Sequence, residues 1–175
     1  MNINFQRAID RLIGVPVCAL LSLIDYFLGK RPPTDKSQRI LVILLSEMGS
    51  LVLAQPMFAH LKQKYPDASI HVMIFAKNRE VLDLLGVVPM ANVLTLDDRS
   101  LGRFLVNVVF AIVRARTLKF DAVIDCELFS RVSSILSYLS GARLHAGFYR
   151  YTQEGLYRGS FIKAHLANDV VELIP

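Results

Sequence analysis

Residues 39–61 read Arg-Ile-Leu-Val-Ile-Leu-Leu-Ser-Glu-Met-Gly-Ser-Leu-Val-Leu-Ala-Gln-Pro-Met-Phe-Ala-His-Leu. An unbroken aliphatic run, Ile40 to Leu45, stops at the small polar loop Ser46 to Ser50, and a helical pattern starts at once. A short continuous apolar run suits a strand buried on both faces, as in parallel sheets. The next segment, Leu51 to Lys64, places Leu51, Leu53, Ala54, Met57, Phe58 and Leu61 on one face of a helix. In an open parallel sheet, ligands bind at the carboxyl ends of strands, beside the N-terminus of the following helix. The loop Ser46 to Ser50 is therefore the first candidate for chemistry.

The alternation continues along the chain. Strands are expected at Ile70 to Phe75, Val93 to Leu96, Ala122 to Cys126 and Leu144 to Phe148. Helices are expected at Arg79 to Leu85 (closed by Gly86), Leu101 to Leu118, and Val132 to Leu139 (closed by Gly141). Strand and helix in turn point to an α/β fold, a doubly wound and mainly parallel sheet with right-handed crossovers. After Phe148 the pattern gives way to a polar loop rich in tyrosine and arginine, Tyr149 to Gly159.

The first 38 residues form a separate unit. Leu12 to Leu28 is nearly continuous apolar sequence, with Arg7 and Arg11 before it and Lys30 and Arg31 after it. It is shorter than the roughly 20 apolar residues of a bilayer span, and it carries Asp25. No small-residue cleavage site follows it, as a secretory signal would need. An apolar helix with basic flanks suits an interfacial element touching anionic lipid. The alternative is a helix packed on the protein's own surface. Arg31 to Ser37, with Pro32 and Pro33, reads as a linker. The expected organisation is 1–38 as helix plus linker, 39–160 as the α/β domain, and 161–175 as a tail.

Bulk properties fit one domain: 175 residues, 53% hydrophobic, with mean hydropathy +0.41. A net charge of +5 and a pI near 9.4 favour acidic partners such as phosphates or anionic membrane. The basic residues are dispersed and no nucleic-acid module is recognisable, so nucleic acid is not an expected partner. Cys18 and Cys126 lie in unrelated apolar contexts, which suits reduced thiols and a cytoplasmic compartment. The histidines lack zinc-site spacing, so neither a metal nor another cofactor is expected.

Three constellations could carry chemistry. No Gly-x-Gly-x-x-Gly or Gly-Lys-Ser/Thr phosphate loop follows the first strand. The loop itself offers Ser46, Gly49 and Ser50 to a phosphate or sugar hydroxyl, unless Ser50 is only an N-cap and Gly49 only a tight turn. After the fourth strand, Asp125 and Glu127 stand with Ser130 and Arg131. One of these carboxylates could act as a general base or orient a hydroxyl, or they could serve in helix capping or an ion pair with Arg131. In the later loop, Arg150, Glu154, Tyr157 and Arg158 could grip phosphate or stack on a sugar, or form a solvated surface.

Several blocks in order resemble glycosyltransferase family 9, the family of the ADP-heptose:lipopolysaccharide heptosyltransferases. They are Arg39 to Ser50 with the following Gln55-Pro56, then Tyr65-Pro66-Asp67-Ala68-Ser69-Ile70, Phe120 to Asp125, Leu139 to Arg143, and Gly147-Phe148. The resemblance covers about residues 39 to 160. It implies the N-terminal, Rossmann-like half of a GT-B fold, the half that holds the acceptor and the catalytic base. The nucleotide-sugar donor would bind mostly through a C-terminal domain beyond this stretch. Where the family reads Ser-x-x-Gly-Asp, with the aspartate as base, this chain has Ser46-Glu47-Met48-Gly49-Ser50. A serine hydroxyl cannot replace a carboxylate as base without a proton acceptor. Glu47, Asp125 and Glu127 are the substitutes in view.

The expected function is sugar transfer from a nucleotide-sugar to a lipopolysaccharide or related glycolipid. The site would lie at the inner face of a bacterial membrane, with residues 1–30 on the lipid surface and Arg150 and Arg158 on acceptor phosphates. The alternative is a non-catalytic module that binds a phosphorylated glycan or pairs with another chain.

Overall fold

The aliphatic run beginning at Ile40 is the centre of the molecule: in the computed structural model, every side chain from Ile40 to Leu45 is at most 4% exposed. The structure describes residues 10–28, 39–45, 48–127, 130–147, 159 and 164–165. Strand β1 (Arg39–Ile43) has β2 (Ser69–Phe75) on one side and β4 (Ala122–Asp125) on the other. β3 (Val93–Leu96) pairs with β2, β5 (Leu144–Gly147) with β4, and β6 (Ala164–His165) with β5. Every pairing is parallel, and the order β3-β2-β1-β4-β5-β6 is that of the doubly wound Rossmann sheet.

Alternation along β1 explains why its sequence is apolar without a break. Ile40, Val42 and Leu44 point into one layer, with Leu51, Phe58, Leu61 and Leu82. Leu41, Ile43 and Leu45 point into the other, with Ala111, Ala115 and Leu136. The first layer is built by α2 (Met48–Leu53), α3 (Gln55–Lys64) and α4 (Arg79–Leu85), the second by α5 (Leu101–Leu118) and α6 (Arg131–Leu139). Each buried aliphatic side chain contributes roughly 1.5–3 kcal/mol, so β1 is the least replaceable element.

Four expectations are corrected. The helix expected over Leu51 to Lys64 is two, broken at Ala54, because Pro56 has no N–H for the carbonyl four residues back and its ring crowds that carbonyl. Helix α2 starts at Met48, so Ser50 lies inside its first turn and is not an N-cap; Gly49 does not adopt a positive φ. The fourth strand ends at Asp125, with Cys126 N–H still donating to the Ile43 carbonyl at 3.0 Å. The pairing of Ala164 and His165 with β5 is a sixth strand too short to announce itself by periodicity. The fifth strand is described to Gly147; Phe148 lies outside the described residues.

The apolar N-terminal segment is one π-helical turn, Asp10–Gly14, leading into α1 (Val15–Leu28). Pro16, which has no N–H to donate back into that turn, lies at the junction of the two. α1 docks on α6: Cys18 is fully buried, and Leu21 packs with Val17 against Ile135, Tyr138 and Leu139. Its opposite face stays in solvent, with Leu20, Leu23, Tyr26 and Phe27 all more than half exposed. The docked face matches the reading of a helix packed on the protein's own surface. No helix among the described residues is long and apolar enough to cross a membrane.

Candidate functional site

The strand order reverses between β1 and β4, and the connections leaving these two strands run to opposite faces of the sheet. A crevice at their carboxyl ends is the expected outcome of that divergence. Ile43, the last residue of β1, is in register with Asp125, the last of β4, and Asp125 is in register with Gly147 of β5. The chain therefore carries the end of its fourth strand to the switch point.

Asp125 is completely buried. Its Oδ1 accepts a hydrogen bond from the Glu127 backbone N–H at 3.1 Å, which turns the chain sharply out of β4. Glu127 and Arg131 are also buried, at 4% and 5% exposure. Three ionisable side chains are thus withdrawn from water within seven residues, and each has partners. Burying charge is costly without compensation, so such a cluster is held for a reason other than burial itself. Ser130 caps α6, its Oγ accepting from Val132 N–H at 3.1 Å, while its carbonyl accepts from Ser133 Oγ at 3.1 Å.

On the β1 side, Gly49 and Ser50 occupy the first turn of α2. Apart from its chain neighbours and the backbone of its own helix, nothing among the described residues lies within 4 Å of where a Gly49 side chain would begin, so the backbone is open on that side. Ser46 and Glu47 lie outside the described residues, as do Arg150, Glu154, Tyr157 and Arg158. The described part of the site is therefore Gly49 and Ser50 on one side, and Asp125, Glu127, Ser130 and Arg131 on the other. Among the described residues no three His, Cys, Asp or Glu side chains are grouped to hold a metal ion.

Two features went unread in the sequence. Arg131 lies against the π-helical turn that leads into α1, so closely that a Cβ on Gly14 would stand 2.9 Å from its Cδ and 3.0 Å from its Cβ. The N-terminal segment thus buttresses the first residue of α6. Behind it, Ser133, Ser134 and Ser137 are fully buried on α6, and Ser137 Oγ lies 3.1 Å from Nδ1 of the buried His145 on β5. The serines of Val132-Ser133-Ser134-Ile135-Leu136-Ser137 were the available signal, since a buried helix face rarely carries three hydroxyls without partners.

The opposite edge of the sheet is different in kind. A shallow cavity of about 400 Å³ there is lined by Arg39, Arg116, Lys119, Asp121 and Arg143. Arg39 Nη1 donates to the Leu118 carbonyl at 2.6 Å and Arg116 Nε to the Leu139 carbonyl at 2.7 Å. These guanidinium groups close the C-termini of α5 and α6, where cations are favoured.

No family model matches the chain. The curated lipopolysaccharide heptosyltransferase 3 of Escherichia coli is 28% identical over 122 residues, 68% of this chain and 34% of that protein. A glycosyl transferase family 9 structure from Veillonella parvula superposes with a TM-score of 0.60 at 17% identity, over 81% of this chain and 38% of the other. The chain shares a glycosyltransferase-type fold. The Escherichia coli heptosyltransferase WaaC, solved with ADP-2-deoxy-2-fluoro heptose and with ADP, gives a TM-score of 0.54 at 18% identity in both cases, over 78% of this chain and 45% of the other. This chain spans about a third of the curated relative and less than half of each solved protein. The sheet with its preceding helix corresponds to the Rossmann-like N-terminal half of a GT-B fold.

Proposed function

We propose that this chain is the acceptor-side half of a family 9-like glycosyltransferase that elongates lipopolysaccharide or a related glycolipid at the inner face of a bacterial membrane. The observation that carries the reading is the reversal of strand order between β1 and β4, with the buried carboxylates Asp125 and Glu127 at the carboxyl end of β4, on a fold shared with heptosyltransferases. In this reading one carboxylate, Asp125, Glu127 or Glu47, takes the proton of an acceptor hydroxyl as its oxygen attacks the anomeric carbon of the donor. The bond from that carbon to the nucleoside diphosphate breaks, and the diphosphate leaves with the electron pair. The donor is held by a C-terminal domain of the whole enzyme. Arg150 and Arg158 neutralise acceptor phosphates, and the exposed face of α1 rests on lipid.

The test is sugar transfer in the presence of a donor-binding domain, comparing Glu47→Gln, Asp125→Asn and Glu127→Gln. Loss of a general base lowers turnover by roughly 10²–10⁴-fold. If all three variants transfer at the unsubstituted rate, the assignment of a base to this crevice is wrong. Ser50 favours a second reading, a phosphoglycan-binding module without transfer, because a hydroxyl stands where the resembling family carries its aspartate. That reading expects acceptor binding and no turnover with any donor domain.

A further inference from the structure

We propose that α5 is a second membrane-contact element, so that the outer face of the α1–α6–α5 layer as a whole docks on an anionic bilayer. This rests on the reading of α1 as a lipid contact and extends it to a helix far away in sequence. Helix α5 turns Phe104, Val108, Ala111, Ile112 and Ala115 to the sheet. At 100° per residue, its opposite side presents Leu105, Val106, Val109, Phe110 and Val113, each more than half exposed and Phe110 70% exposed. A soluble helix would put charge there.

The same geometry applies to α1. Helix α6 points Val132 and Leu136 to the sheet and Ile135, Tyr138 and Leu139 to α1, so α1 lies on the side of α6 away from the strands. The face of α1 that carries Leu20, Leu23 and Phe27 is opposite the one docked on α6. Both exposed apolar faces therefore point off the same side of the sheet. α6 bridges them, touching α1 on one side and α5 on the other.

Charge selects a lipid surface over a protein. Helix α5 contains Arg103, Arg114 and Arg116 and no acidic residue. Arg99 and Lys119 extend the basic residues beyond its two ends, and all five are exposed. Of the carboxylates just beyond its two ends, Asp97 is engaged by Arg99 and Arg103, Asp98 by Lys77, and Asp121 by the Arg39 backbone N–H. An apolar stripe with cations at both ends and no acid is the pattern of a helix lying in the interface of an anionic bilayer.

The test is flotation of the 175-residue chain with vesicles of phosphatidylethanolamine containing about one-third phosphatidylglycerol, against pure phosphatidylcholine vesicles. Size-exclusion chromatography with light scattering is run in parallel. The chain is expected to float with the anionic vesicles and to lose binding as salt is raised. The pair Val109→Glu, Phe110→Glu on α5 is expected to weaken partitioning roughly tenfold or more, as is Leu20→Glu, Leu23→Glu on α1. Circular dichroism checks folding, and Leu105→Ser, Phe110→Ser serves if the glutamates disturb it. If only the α1 pair matters, α1 is a lipid contact and this inference fails. If only the α5 pair matters, α5 is a lipid contact by itself, and the role of α1 and the joint face both fail. A wild-type dimer that the α5 pair converts to monomer without changing flotation would make this face a subunit interface and overturn the proposal.

Discussion

Replacing Gly14 by valine tests whether the N-terminal helix is locked to the crevice through Arg131. A Cβ at Gly14 would stand 2.9 Å from Arg131 Cδ, 3.0 Å from its Cβ and 3.5 Å from its Cγ. Ordinary carbon contacts lie near 3.5–4.0 Å, so the new group overlaps by roughly half an ångström or more. Arg131 Cβ is fixed to the α6 backbone and cannot swing aside, so α1 has to move. Overpacking of this size costs about 1–3 kcal/mol. The docking that opposes it is mainly the burial of Cys18 and Leu21, on the order of 2 kcal/mol each. Detachment of α1 should therefore become roughly 5- to 150-fold more frequent. The readout is alkylation of Cys18, fully buried in the docked helix, followed by peptide mass spectrometry to separate it from Cys126. The expected result is faster labelling of Cys18 alone, with the sheet's amide protection unchanged. Labelling of Cys18 at the unsubstituted rate would refute the locking of α1 by this contact.

Two further predictions concern the scaffold. Gly141 (φ +78°) and Gly86 (φ +60°) both hold left-handed backbone after a helix, but only at Gly141 would a Cβ meet another side chain, Arg116, at 3.0 Å. Gly86→Ala should cost about 1 kcal/mol from conformation alone. Gly141→Ala should cost about 1 kcal/mol more, and equal thermal melts would contradict the contact. His71 is held below its ordinary pKa, first by burial and then by the charges of Arg114 and Arg39. Unfolded His71 therefore takes up a proton more readily than folded His71. Its contribution is complete above a pH of about 6.5 and is lost as pH falls through that value to the folded-state one. Melts of the wild type and His71→Gln between pH 7.5 and 5 should show the variant losing less stability; parallel curves would remove His71 as a cause.

The sheet was legible because parallel strands buried on both faces leave the plainest possible trace. Ile40 to Leu45 could be little else, and the four later strands were placed within a residue or two of their described ends. Where reading failed, competing local physics had been undervalued. Pro56 announces the break between α2 and α3, but the apolar periodicity running through Ala54 concealed it. β6 is held by pairing with β5 across a long sequence separation, and two residues carry no pattern of their own. Asp125 and Glu127 could be placed at the carboxyl edge of the sheet because the end of a strand fixes where its residues go. The contact of Gly14 with Arg131 joins residues 117 positions apart, and nothing local in either neighbourhood encodes it.

The central claim is that the glycan acceptor binds in the crevice between β1 and β4. Backbone amide chemical-shift mapping of the chain, titrated with a soluble lipopolysaccharide core oligosaccharide, tests it most directly. Perturbation should concentrate at Met48 to Ser50 and at Asp125 to Arg131, and should weaken in Glu127→Gln. Perturbation confined to the opposite edge, at Arg39, Arg116, Lys119 and Arg143, would contradict the account.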